Sequence, residues 1–454
     1  KYLTWSLLQV LQSRKKQSYC GGSFVKRVLK IIIPFLILCA GFYGLFSGKQ
    51  SLSQQPFAFS KNAAGAYSSM GKNEAMYIRQ IITADSGKSR TIMWQSEGTE
   101  NGAFVEYRVK GAEQISSASA TNEQFTDDKT TTYLHSTTLS NLTPDTKYEY
   151  RVGYSDKRSD WHDFATESKG KFKALIFPDS QSNDYSDWAN LVRVAAKANP
   201  DAAFFVNMGD LVDNGEDHTQ WRAWFEAVQG MIDKIPVAPL LGNHETYDLN
   251  WKVRMPLAYL NLFALPANGS QERKNQYYSY DYGDVHFVVL NTQMAEMEQF
   301  QPGLLETQIE WFKNDISKTN KKWKVVLLHK DVLTYPFKNR TDRQAGISDI
   351  GQAFMPLFDE YDVDVVLTAH LHTYRNRGHI ENFERDDRGP LYILTGVAGN
   401  VRYPELWADH PLDIKIAAQP ETDNYITLEA SNNMLRIASF LPDGKQIDSV
   451  EIKK

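Results

Sequence analysis

Apolar and polar positions follow three different rhythms along this chain. Between residues 77 and 152 the alternation has period two. Segments 77–82, 90–94, 103–109 and 147–152 read as short strands, punctuated by Gly, Asp, Asn and Pro. Several strands so closely spaced predict a β-sandwich. After Lys171 the rhythm changes to short apolar runs separated by amphipathic stretches. The runs at 172–177, 204–208, 235–241, 323–328 and 363–368 read as buried strands, and 277–282 with 285–290 as a hairpin around Gly283-Asp284. Between them, helices are expected at about 185–198, 219–230, 304–318 and 349–361. The first of these places Trp188, Leu191, Val192 and Ala195 on one face. Strand–helix alternation of this kind predicts an α/β layer structure. The tail from Leu391 is mostly strands, with a turn at Pro442-Asp443-Gly444. The third rhythm is no alternation at all: residues 31–46 carry no charge, and 28–29 extend the run past Lys30. A lysine near the end of such a run can snorkel, so 28–46 is expected to span a membrane.

Charge sharpens that expectation. Residues 1–50 hold eight Lys or Arg and no acidic residue, out of 50 basic and 55 acidic residues in all. Basic residues before the span predict a cytoplasmic segment at 1–27, a signal anchor at 28–46 and everything beyond on the extracellular side of the cell membrane. Secretion after signal cleavage is the alternative. Residues 47–72, rich in Ser, Gln, Gly and Ala, read as a linker. The acidic remainder argues against nucleic-acid backbone as a partner. Both cysteines, Cys20 and Cys39, precede or lie within the span, so the outer portion has no thiol chemistry.

The candidate chemistry sits where the apolar runs stop. Five of them end near Asp179, Asp210, Asn243, His329 and the pair His370 and His372. Ligands of α/β folds collect at such carboxyl ends. Oxygen donors mixed with imidazoles suit Zn, Mn or Fe, and a carboxylate such as Asp210 can bridge two ions about 3.5–4 Å apart.

The order Asp-x-Gln (179–181), Gly-Asp-x-x-Asp (209–213), Gly-Asn-His-Glu (242–245), His329 and Ala-His-x-His (369–372) resembles the calcineurin-like metallophosphoesterases. With the β-domain in front, the chain from about residue 74 onward is most similar to the purple acid phosphatases. The run from Leu139 through Pro144 to Tyr148 and Tyr150 resembles the end of a fibronectin type III-like domain. Together with the N-terminal transmembrane segment read above, the expected fold is an α+β multidomain protein, for which the resemblance implies a fibronectin III-like β-sandwich over 73–168 and a four-layer α/β/β/α metallophosphoesterase sandwich over 169–454. It implies that one metal takes Asp179, Asp210 and His372, and the other Asp210, Asn243, His329 and His370. A metal-bound hydroxide would attack phosphorus in line. Asn243 and His244 would meet the phosphate, with His244 as the catalytic group. Glu245 and Gln181 would hold their neighbours by hydrogen bonds.

Two departures matter. The family has Tyr where this chain has Asp213, so no iron–tyrosinate colour is expected, and Asp213 becomes a candidate extra ligand. Family members also place further His after His329, but residues 330–349 contain none. Lys330, Arg340 and Arg343 are candidate phosphate-binding cations there. The leading expectation is a phosphomonoesterase with two divalent or trivalent ions (Fe, Zn or Mn) acting on phosphate esters. A phosphodiesterase of nucleotides or cell-wall polymers, with aromatics such as Trp251, Tyr403 and Trp407 stacking on a base or sugar, shares the same chemistry. A non-catalytic surface adhesion protein would instead have eroded ligands.

Overall fold

The computed structural model describes residues 75–98, 102–168, 170–417 and 422–454. The expected basic segment, span and linker lie outside the described residues. Among the described residues no helix is long and apolar enough to cross a membrane.

The front of the chain is a two-layer β-sandwich. Met76–Ile81, Arg90–Ser96, Thr130–Leu139 and Thr121–Asp127 pair in one layer. Ala103–Val109, Ser116–Ser119, Lys147–Tyr154 and His162–Ala165 form the other. Ile92, Trp94, Val105, Tyr150, Val152 and Phe164 fill the space between them. Thr121–Asp127 was not legible as a strand. It is an exposed edge with one aromatic among polar residues, so no apolar face announces it.

The first layer does not stop at the sandwich. Met76–Ile81 pairs in parallel with Val237–Pro239, joining both parts in one ten-stranded sheet. Phe172–Phe177, Phe204–Asn207 and Val237–Pro239 lie parallel in that sheet. The last is shorter than the apolar run at 235–241 suggests. Prolines at 236 and 239 lack the amide hydrogen that a ladder needs. A second sheet of eight strands includes Val285–Leu290, Trp323–Leu328 and Val365–Thr368, also parallel. Tyr374–Glu381 belongs to it too. That strand buries Arg375, Asn376 and Arg377, so its sequence does not look like a core strand.

The two sheets pack face to face with helices outside. Phe172 and Phe204 meet Tyr282 and Phe287 between the sheets. On its other face Phe177 meets Trp188 of the helix Ser186–Ala198. In the second sheet Val285, Phe287 and Val289 point to the first. Val288 and Leu290 join Phe312 and Phe358 of the helices Leu304–Ile316 and Asp349–Glu360. Period-two strands sorted between two cores give this layering. It brings the carboxyl ends of the parallel strands of both sheets to one edge, where Ala398 and Gly399 amides donate to the Asp179 carbonyl at 2.8 and 2.9 Å.

Candidate metal centre

At that edge the structure gathers two triplets of donors that share one residue. Asp179, Asp210 and His372 form one, and Asp210, His329 and His370 the other, with the donor atoms of each within 4.8 Å of one another. Asn243 joins the second, its Oδ1 being 3.2 Å from His329 Nε2. The backbone is bent to make this possible. Asp210, His370 and His372 all have positive φ, at 48°, 75° and 53°. Non-glycine residues held there cost about 1–3 kcal/mol each, and such strain gathers at functional sites. The glycines beside them leave the needed room. A Cβ on Gly209 would sit 2.5 Å from His329 Nδ1, and one on Gly242 would collide with the amide and carboxylate of Asp210.

Each donor is aimed by a second contact. His329 Nδ1 donates to the Met208 carbonyl at 2.9 Å, leaving Nε2 facing Asp210 Oδ2 at 3.1 Å. His372 Nδ1 donates to the Val401 carbonyl at 2.5 Å, leaving Nε2 toward Asp179 and Gln181. The His370 amide donates to both oxygens of Asp179. Glu245 accepts from four amides, those of Asp210, Leu211, Val212 and Gly242. It therefore ties the Asp210 turn to the Asn243 turn. The Asp210 carbonyl in turn accepts from the amides of Ser180 and Gln181, at 3.1 and 2.9 Å.

The electrostatics fit a cation site. Burial drives His370 and His372 well below the ordinary imidazole range, His372 to about 4, so both are neutral donors. Burial pushes Asp179 up to about 7 against the pull of His329, and Asp210 adds to the rise. Burial also opposes charge on Asp210, but His329 and His244 outweigh it and hold the carboxyl below its usual range. His329 is desolvated too, yet Asp210 lifts it to about 9. Two buried carboxylates facing each other are therefore held together only by borrowing a proton or a cation. His370 Nδ1 is buried with no hydrogen-bond partner. A metal ion would supply what that nitrogen lacks and keep both carboxylates ionised. The residues present thus fit a metal pair.

Around the donors, the expected contacts divide. His244 stands beside them, its amide donating to Asp210 Oδ1 at 2.8 Å and its Nδ1 to the Asp213 carbonyl at 2.7 Å. Burial opposes its charge, but Asp210 and Asp213 raise its pKa above the ordinary value. Asp213, expected as an extra ligand, stands outside both triplets. Its carboxylate faces His244 at 3.5 Å. Lys330 is not a free cation: its Nζ donates to both oxygens of Glu296 at 2.7 Å. Arg343 lies over Phe337 and Trp407, 5.5 and 5.4 Å from the ring centres, and Arg340 is paired with Asp342. The Tyr403 ring packs tilted against His372, with ring centres 4.9 Å apart, and Trp407 Nε1 donates to the Leu371 carbonyl between the two histidines at 2.9 Å. Both brace the ligand turn. The Val401 carbonyl and Glu296 escaped sequence reasoning, because a main-chain acceptor and a distant carboxylate leave no motif.

Relatives agree with the class that the fold and site define. Residues 159–374 match the calcineurin-like phosphoesterase family, and residues 77–166 match the purple acid phosphatase N-terminal domain. Side by side, the two matched stretches make residues 77–374 similar to the purple acid phosphatases among the calcineurin-like phosphoesterases. Purple acid phosphatase 23 of Arabidopsis thaliana is 32% identical over 197 residues, 42% of this chain and 40% of that protein. The chain thus spans less than half of that relative's length. Acid phosphatase type 7 of Mus musculus is 25% identical over 70% of this chain and 76% of its own. A solved purple acid phosphatase from yellow lupin (Lupinus luteus) seeds shares the fold, with a TM-score of 0.69 and 17% identity, over 84% of this chain and 74% of that one.

Proposed function

We propose that this chain hydrolyses phosphate esters, phosphomonoesters first, at a two-metal centre. The observation that carries this reading is the pair of donor triplets sharing Asp210. Asp179, Asp210 and His372 would hold one ion; Asp210, Asn243, His329 and His370 the other. Iron, zinc or manganese suit this donor set, and without a tyrosine at position 213 no iron–tyrosinate colour is expected. When bound, the ions would polarise the phosphoryl group and lower the pKa of a water at the centre. Asn243 and His244 would meet the phosphate. His244, whose pKa is raised by Asp210 and Asp213 against the effect of burial, would in its protonated form donate to a phosphoryl oxygen or to the departing ester oxygen as the phosphorus–oxygen bond breaks. Glu245 would keep the two ligand turns in register.

The second reading is a phosphodiesterase of nucleotides or wall polymers. It is favoured by exposed Trp251 and Tyr403 beside His244 and His372, and by a rim whose cations are already paired. The adhesion reading is disfavoured, since all six ligand positions carry competent donors. We further read the front sandwich, 73–168, as fibronectin III-like and 169–454 as the catalytic domain. On the basic residues of 1–27 and the apolar run at 28–46, we read a single-pass anchor with the catalytic part outside the cell. Secretion after cleavage is the alternative.

The test is hydrolysis of a chromogenic phosphomonoester and its bis-ester by metal-stripped protein, with Mn, Zn or Fe(II) restored. Metal-dependent turnover supports the reading, and the preferred ester separates its two forms. Failure to bind metal or to turn over either ester would sink it.

A further inference from the structure

We infer that the N-terminal β-sandwich is a working part of the site, because its hairpin tip sets the pose of the loop carrying His244. The hairpin joins Thr121–Asp127 to Thr130–Leu139 through Asp128 and Lys129, both at positive φ (44° and 58°), which is the geometry of a tight two-residue turn. The tip reaches across to the catalytic part. Asp127 Oδ1 accepts from Arg254 Nη1 at 2.8 Å, with the two side chains 10% and 18% exposed. Asp128 accepts from the His218 amide at 3.3 Å, where the helix His218–Val228 begins.

Arg254 is the far end of the loop that starts at His244. Its amide donates to the Thr246 carbonyl at 2.8 Å, and Tyr247 bridges Val253, so the loop is closed on itself. Its guanidinium also lies 3.5 Å from Glu216, whose other oxygen accepts from the Leu249 amide at 2.8 Å. From there the contacts lead back to the site. Asn214 Nδ2 donates to the Asp248 carbonyl at 2.7 Å, and the Gly215 amide to the His244 carbonyl at 2.9 Å. Asp213 holds the His244 ring. The loops 213–216 and 246–254 thus stand between the sandwich and the imidazole, and hydrogen bonds and one ion pair tie them to each other. A half-buried guanidinium with its carboxylate removed would seek other partners and release the loop. Asp127 and Arg254 are positioning residues in this scheme. It rests on the reading of His244 as the group that meets the phosphate.

The experiment compares full-chain wild type with Asp127→Ala, Asp127→Glu and Arg254→Lys, each also combined with His244→Ala. Amide hydrogen exchange and phosphomonoester kinetics are read on the same preparations, with melting temperature to check folding. The expected result is faster exchange at the Gly215, Leu249 and Arg254 amides in Asp127→Ala. A kcat loss of about tenfold should accompany it, with KM little changed and metal content intact. Asp127→Glu should restore part of both. In the His244→Ala background, Asp127→Ala should add almost nothing. Unchanged exchange at those amides, or an equal kcat loss with and without His244, overturns the inference. If the wild type showed no metal-dependent turnover, the enzymatic reading would fail, and the exchange data would still decide whether the tip braces the loop.

Discussion

Two buried histidine–carboxylate clusters in this protein use the same residue types and behave in opposite ways. In one, His286 lies between Asp281 and Asp315, with Nδ1 at 2.8 Å and Nε2 at 3.0 Å. Both ring nitrogens are satisfied. Burial opposes its charge, but the two carboxylates outweigh that and push it up to about 9. It is an ion-paired strut between a strand and the helix Leu304–Ile316. In the other cluster, His370 and His372 are neutral, one ring nitrogen has no partner, and three residues have positive φ. A burial count would not tell them apart. An unpartnered ring nitrogen, strained backbone and opposed carboxylates mark the cluster whose donors fit a cation.

The largest effect that would sharpen this contrast is at the metal centre. His370→Ala should lower kcat/KM by about a thousandfold or more, equivalent to about 4 kcal/mol of transition-state stabilisation. It should also lower the metal content measured by elemental analysis, while His286→Gln leaves both near wild type. Full activity in His370→Ala would erase the distinction. Next in size is the strut. The folded-state pKa of His286 is raised above its ordinary 6.5, so its contribution is fully present below about pH 6.5 and lost as pH rises through about 9. A shift of that size corresponds to at most ~3 kcal/mol. His286→Gln should therefore be clearly less stable than wild type to denaturant at pH 6, and the gap should close by about pH 10. A pH-independent gap would mean that packing, not charge, is what the histidine contributes.

Glu245→Gln keeps the shape but replaces one of the two oxygens that accept from four amides with a nitrogen that cannot accept. Metal affinity should fall about 10–100-fold, read by competition with a chelating dye. The smallest effects belong to the rim. Lys330→Ala and Arg343→Ala should change KM by less than about tenfold, since one is spent on Glu296 and the other on aromatic rings. A larger loss for Lys330 would show that it leaves Glu296 for the phosphate.

Much of this was legible in the sequence, and the part that was not has a common cause. Helix and strand positions from Phe172 onward followed from local apolar periodicity. Each proposed ligand lies within a few residues of the end of an apolar run, so the donor set could be read where those runs stop. The polar strand Thr121–Asp127 and the buried arginines of Tyr374–Glu381 broke the pattern, and both went unread. Asp213 shows the limit from the other side: the motif puts a carboxylate at a ligand's place, and only the structure shows it 3.5 Å from His244.

What the sequence alone determined is therefore the kind of donors, their order along the chain and the layers that carry them, because these depend on neighbours a few residues apart. Only the tertiary structure decided which imidazoles stay neutral, that Glu245 gathers four amides, that Lys330 is already paired, and that a hairpin tip of the front sandwich reaches Arg254. Those outcomes depend on burial and on groups distant in sequence, often main-chain atoms that every residue shares. No local pattern of side chains encodes them.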